Sequence, residues 1–382
     1  MIFDGEISFD PAGDFAAILA GVPAKWVVYL MSDGNGLPVQ LLCVKNLRAS
    51  LQRRLGENEQ IGPSKRIGYR ELVRKIAWRR VDSAFEADCV YLDAAREIFP
   101  QTYRGMLAFK ETWFLHVSAA DRFPRYVKTN NPTNSAGDFL GPIKDKDAAG
   151  RLIELVEDAF DLCRYYNILV EAPNGRACAY KEMGKCPAPC DGTISMDEYR
   201  AAIARSIDVL RNPAPYLAEQ NQQMQRASAD LNFERAAKIK SHIERINRLH
   251  AGQYSLLRSI SDFSFVSLQR GPRAKCAKLF LITPTMIDEP LCICYSPNNW
   301  AEIFNFLSHR KNSASSSALD QAAAERLAIV ASHLFMPKKQ GVFLAWSDVN
   351  EATLARAYRQ LGKQKESPDS VDEGMVKDLQ SL

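Results

Sequence analysis

The sequence predicts a multidomain protein of mixed α/β and α class, and three observations carry that expectation. A strand–turn–strand–helix pattern opens the chain, two long helical stretches flank a break at 229–233, and strand-like apolar runs resume after residue 260. At 382 residues, 46% of them apolar and 25% charged, the chain has material for two or three packed cores.

Trp26 to Met31 reads as a buried strand, followed by the turn Asp33-Gly34-Asn35-Gly36 and a second strand from Val39 to Val44. Leu47, Leu51 and Leu55 then recur every four residues, which predicts an amphipathic helix. Tyr69 to Val81 reads as a further helix, Cys89 to Leu92 as a short strand and Asp93 to Phe99 as a helix. Strands follow at Trp113 to Val117 and Arg125 to Lys128, a polar loop spans Thr129 to Asp138, and Phe139 to Pro142 closes it. Leu152, Leu155, Val156 and Phe160 place a helix over Lys146 to Cys163. Ser195 with Glu198 forms a capping box that opens another, ended by Pro213 and Pro215.

From Tyr216 to His250 the two helices carry one apolar set, including Leu231, Phe233, Ala237, Ile239, Ile243 and Leu249. A helical hairpin cannot bury such a face by itself, so it needs a partner or its own C-terminal domain. Strands at Phe263 to Leu268, Ala277 to Thr283 and Leu291 to Tyr295 come next. Helices at Trp300 to Ser308 and Leu319 to Leu334 are separated by a polar loop, Lys311 to Ser317. The resulting domains are 1–110, 111–212, 213–252 and 253–362, with a polar tail, 363–382, expected to be disordered.

Acidic residues Asp4, Glu6, Asp10 and Asp14 stand where a secretion signal needs early positive charge. The six-residue run Trp26 to Met31 is far short of the roughly 20 residues that span a bilayer, so no membrane segment is expected. The nine cysteines are an odd number, and a reducing cytoplasm suits them better than a closed disulfide framework.

Net charge is only +4, but its distribution is uneven. Between Lys45 and Arg80 lie eleven basic residues, among them Lys45, Arg48, Arg53, Arg54, Lys65, Arg66, Arg70 and Arg74, against three acidic ones. Such an excess is the footprint of a polyanion-binding surface, with DNA the first candidate, or else a solvated helical face.

Four cysteines, Cys163, Cys178, Cys186 and Cys190, have fourteen, seven and three residues between them. Four thiolates suffice for zinc or for an iron–sulfur cluster. Zinc ribbons favour two short Cys-x-x-Cys knuckles and this segment has a single short pair, whereas a cubane presents four separated corners and accepts irregular spacing. Gly175, Gly184 and Gly192 would let the backbone bend around the site.

Six short segments, in this order, resemble the UvrC family of excision-repair nuclease subunits. They are Arg122-Phe123-Pro124-Arg125, Phe139-Leu140-Gly141-Pro142, Arg176-Ala177-Cys178, Gly184 to Cys190, Ser195-Met196-Asp197-Glu198-Tyr199 and Leu231 to Ala237. The resemblance implies a 4Fe-4S cluster on all four cysteines. It implies too that Leu231 to Ile246 is a UVR motif pairing with a UvrB-type protein, with Phe233, Ala236, Ala237 and Ile243 as buried contacts and Glu234 and Arg235 at the rim.

The first domain is similar to the family's GIY-YIG nuclease domain, whose first-motif tyrosine corresponds to Tyr29 and whose phosphate-contacting arginine corresponds to Arg48. The second motif falls on Gln40-Leu41-Leu42, without its tyrosine and glycine, and the lysine that follows is Cys43. Near the metal-binding glutamate only Asp93 offers a carboxylate for magnesium or manganese. Phe263 to Leu361 resembles the segment before the family's RNase H-like domain, whose carboxylates the chain has no room for. These features predict a DNA-binding adaptor; a divergent endonuclease using Tyr29, Arg48 and Asp93, or a redox-sensing DNA-binding protein, are the alternatives.

Overall fold

The computed structural model describes residues 2–56, 68–132, 136–294, 299–313 and 319–364. Lys65, Arg66, most of the polar loop before residue 319 and the tail from 365 lie outside the described residues.

The N-terminal unit comprises β1 (Gly5–Ser8), α1 (Phe15–Gly21), β2 (Val27–Ser32), β3 (Pro38–Val44), α2 (Leu47–Leu55), α3 (Tyr69–Leu72), β4 (Lys75–Arg80), α4 (Ala84–Ile98) and α5 (Tyr103–Met106). Its sheet is antiparallel in the order β1-β4-β2-β3. Alternation along β2 sends Val27, Tyr29 and Met31 toward α2 and Val28 toward α4, so the two helices cover opposite faces.

Two expectations fail here. The segment read as a helix from Tyr69 to Val81 is helical only over α3 and continues as β4, which pairs with β1 on one side and β2 on the other. Two ladders outweigh the local helical spacing of its arginines. The short strand expected at Cys89 to Leu92 is the middle of α4, capped by Ser83 through Glu86 N at 3.2 Å. Val90 of α4 packs on the first sheet while Phe85 and Leu92 pack on the C-terminal unit. A helix buried on two sides shows a continuous apolar run, which mimics a strand in the sequence.

The middle unit holds β5 (Trp113–Val117), β6 (Val127–Thr129), β7 (Asp138–Ile143), α6 (Lys146–Phe160), α7 (Tyr166–Leu169), α8 (Ala179–Glu182) and α9 (Met196–Arg211), with the Ser195–Glu198 capping box present. Pro213 ends α9 by opening α10 (Pro213–Ala229), and α11 (Phe233–Arg248) completes the hairpin. Its sheet runs β6-β5-β7-β8, and β8 (Arg258–Ser259) comes from beyond the hairpin. The segment assigned by sequence to the last domain therefore begins inside the middle one.

The C-terminal unit has β9 (Phe265–Arg270), β10 (Cys276–Ile282), β11 (Leu291–Cys294), α12 (Trp300–Ser313), α13 (Gln321–Phe335), β12 (Val342–Ala345) and α14 (Glu351–Lys363), the last two unanticipated. The sheet order is β11-β10-β9-β12, all antiparallel. Cys276 and Cys294 face each other across β10 and β11 and form a disulfide, while the other seven cysteines are free. Directly opposed residues on neighbouring strands bring their Cα atoms to 4.1 Å, close enough for the bond. No helix among the described residues is long and apolar enough to cross a membrane.

Candidate cysteine centre and docking hairpin

The cysteine turns sit where α6 ends and α9 begins. Asp161 adopts a left-handed conformation at the α6 C-terminus and turns the chain into Cys163, whose N–H donates to the Tyr199 hydroxyl of α9 at 3.1 Å. Gly184 and Ala188 also have positive φ and fold the backbone back between Cys178 and Cys190, and Gly192 does so just after it. Gly175 donates its N–H to the Cys190 carbonyl at 2.8 Å, and a Cβ at Gly175 would meet Glu171 Cβ at 2.8 Å, so this close approach requires glycine.

Cys163, Cys186 and Cys190 are buried, while Cys178, at the start of α8, is half-buried. Cys163 and Cys186 are hydrogen-bonded thiol to thiol; that bond lowers Cys186 to about 7, and the same contact followed by burial raises Cys163. Burial, then the negative charges of Asp191 and Cys186, raises Cys190. Among the described residues no group of three or more His, Cys, Asp or Glu side chains is gathered as a metal site. What fits a cluster is the donor chemistry: sulfur only, three of the four buried, on turns of positive φ.

The hairpin is anchored at its base and open at its tip. Ile246 and Leu249 are fully buried in the middle-domain core, and Arg245 donates to the Asp158 carbonyl at 2.7 Å. The middle domain, rather than the C-terminal one, is therefore what the hairpin packs on. At the tip Leu231 is 73% and Phe233 63% exposed. Glu234, Arg235 and Ala237 are exposed as well, Ala236 and Ile243 half-buried, and Glu234 pairs with Lys238 at 2.7 Å.

In the first domain the nuclease-type residues do not converge. Tyr29 is fully buried, its hydroxyl 2.9 Å from Ser50 Oγ. Arg48 donates from Nε to the Val22 carbonyl at 2.8 Å and from Nη2 to the Ala20 carbonyl at 3.1 Å, closing the end of α1. Asp93 is on α4, across the sheet from Tyr29, and pairs with Arg326 of α13 at 3.5 Å.

The basic residues divide similarly. Arg54 donates to Gln40, Arg70 to the carbonyls of Leu55 and Pro11, and Arg74 to the Val73 carbonyl. Lys45 and Arg53 are exposed and also interact within the chain. The exposed aromatics of the cysteine turns, Tyr165 and Tyr166, went unnoticed in the sequence, where tyrosine reads as core.

A small basic α/β unit, a cysteine-bearing middle unit and a helical hairpin follow one another along the chain. Residues 112–209 match the UvrC/Cho excinuclease middle domain and residues 216–249 the UvrB/uvrC motif. UvrABC system protein C of Clostridium botulinum (strain Hall) is 25% identical over 267 residues, 69% of this chain and 43% of the relative. Its counterpart in Clostridium acetobutylicum is 23% identical over 272 residues, 70% of this chain and 43% of the relative. No solved structure matches. Over these segments the chain is similar to UvrC-family proteins, and it spans about 43% of the length of these curated relatives.

Proposed function

We propose that this chain acts in nucleotide excision repair as a cytoplasmic DNA-binding adaptor, docking a UvrB-type partner through the α10–α11 hairpin and making no incision of its own. The observation that carries the docking is the exposed apolar tip, Leu231 and Phe233, inside the segment that matches the UvrB/uvrC motif. Exposed large apolar side chains at the tip of an otherwise anchored hairpin call for a partner surface.

Against incision stand the positions of Tyr29, Arg48 and Asp93. Hydrolysis of a phosphodiester needs a carboxylate to hold the cation and a guanidinium opposite the developing charge, on one site. Here Arg48 is bonded to two carbonyls and Asp93 is on the far side of the sheet, paired with Arg326. Magnesium or manganese would matter only to a nuclease.

The four cysteines hold a 4Fe-4S cluster, with zinc as the alternative, and the hydrogen-bonded pair Cys163–Cys186 supplies its first two ligands. The group would cross-link the turns between α6 and α9 and supplies no bond-breaking chemistry. Protein purified without oxygen shows a broad visible absorbance that dithionite bleaches, and Cys186→Ser loses it. A colourless wild type that retains stoichiometric zinc assigns the site to zinc.

The docking is tested by capture of the UvrB-type partner on immobilised protein. Phe233→Ala abolishes capture while the thermal transition stays in place; undiminished capture removes the interface.

A further inference from the structure

The exposed side of the cysteine turns is aromatic. Tyr165 is 46%, Tyr166 39% and Met183 62% exposed, three large side chains on two turns within twenty residues of sequence. The two turns meet through the Tyr165 ring, 5.8 Å from that of Tyr180 on α8, whose C-cap is Met183. Cations lie on these rings. The Arg125 guanidinium sits 3.7 Å from the Tyr166 ring centre, and that of Arg164 sits 4.6 Å from Tyr180.

The backbone beneath is fixed. The Tyr165 carbonyl accepts from the N–H groups of Ile168 and Leu169, which fixes the backbone that carries the rings. Flat rings exposed on a fixed turn, with the exposed Arg125 guanidinium beside them and Arg164 held by Asp158 at 2.9 Å, match the faces of unstacked bases and a phosphate that joins them. A paired duplex hides those faces, whereas a single strand or an opened lesion presents them.

We propose that Tyr165, Tyr166 and Met183, with Arg125 alongside, form a stacking platform for unpaired bases of DNA. The proposal rests on the DNA-binding reading above and adds which form of DNA this face takes.

The test uses the full chain, an oligo(dT) carrying one ethenoadenine, and a paired duplex of the same length. Wild type binds both, and stacking quenches the ethenoadenine. Tyr165→Ala with Tyr166→Ala relieves the quenching and weakens oligo(dT) binding about tenfold per ring removed, with duplex affinity unchanged. Tyr165→Phe with Tyr166→Phe keeps both signals, because stacking needs the ring and not the hydroxyl.

Alanine variants that retain wild-type quenching and affinity overturn the platform, as does an equal loss on both DNAs. Wild type that binds duplex without quenching ethenoadenine overturns the platform alone, and wild type that binds neither DNA removes the DNA-binding reading with it. Loss of UvrB-type partner capture with oligo(dT) binding intact makes the face a protein interface and likewise refutes the proposal.

Discussion

At the scale of single residues, type and role come apart most clearly at Arg48. Its position after the second strand resembles a phosphate-contacting arginine, yet its guanidinium terminates α1 through the carbonyls of Ala20 and Val22. Arg48→Ala should lower stability by about 1–2 kcal/mol in a urea titration, the net worth of two such hydrogen bonds, and leave DNA affinity within twofold. A selective fall in affinity at unchanged stability would restore Arg48 to the binding surface. Cys163 and Cys186 behave the other way. Twenty-two residues separate them in sequence, and the α6–α9 turns bring their thiols into a hydrogen bond. The quartet was legible as a candidate from residue type alone, but the pairing order was not, because it depends on the left-handed turns at Asp161 and Ala188.

At the scale of elements, the hairpin divides its apolar residues between two tasks. Ile246 is fully buried against the middle domain, and Phe233 stands in solvent. Ile246→Ala should cost about 2–5 kcal/mol in chemical denaturation, the range for emptying a closed core site. Phe233→Ala should shift the same curve by less than about 0.5 kcal/mol, as exposed substitutions do. Equal losses would mean that the tip is packed and unavailable for docking. The sequence placed both helices and the break between them, because caps and apolar spacing are local signals. It misassigned β4 and α4, because each is defined by what lies on both of its sides: two ladders for the strand, two cores for the helix.

At the scale of the whole molecule, the N- and C-terminal units close on each other through α4 and α13. Phe85 and Leu92 share one apolar cluster with Phe280, Leu327 and Val330. Around it Lys278 of β10 reaches Asp82 and Glu86 at 2.6 Å each, His333 meets Asp88 at 2.7 Å, and Tyr103 donates to Glu325 at 2.8 Å. Burial raises Glu86, and Lys278 opposes that shift. Lys278→Met would strand the buried Glu86 without its cation, at a cost of about 3–5 kcal/mol. Calorimetry of that variant should show the single transition splitting or falling in temperature; an unshifted transition would show that the apolar cluster alone holds the units together.

What the sequence by itself determined is what local chemistry encodes: the multidomain α/β and α class, the β2–β3 hairpin, the capping box at Ser195, the helical hairpin and the cysteine quartet as a centre of interest. What only the tertiary structure decided is which of these groups meet. Strand alternation set Tyr29 and Asp93 on opposite faces of one sheet, and the docking of α13 gave Asp93 a guanidinium partner. Positive-φ turns brought Cys163 to Cys186 and left Tyr165 and Tyr166 facing solvent. Residue type sets what a side chain is capable of, but its partner is fixed by contacts between segments far apart in the chain, and those follow from packing rather than from spacing.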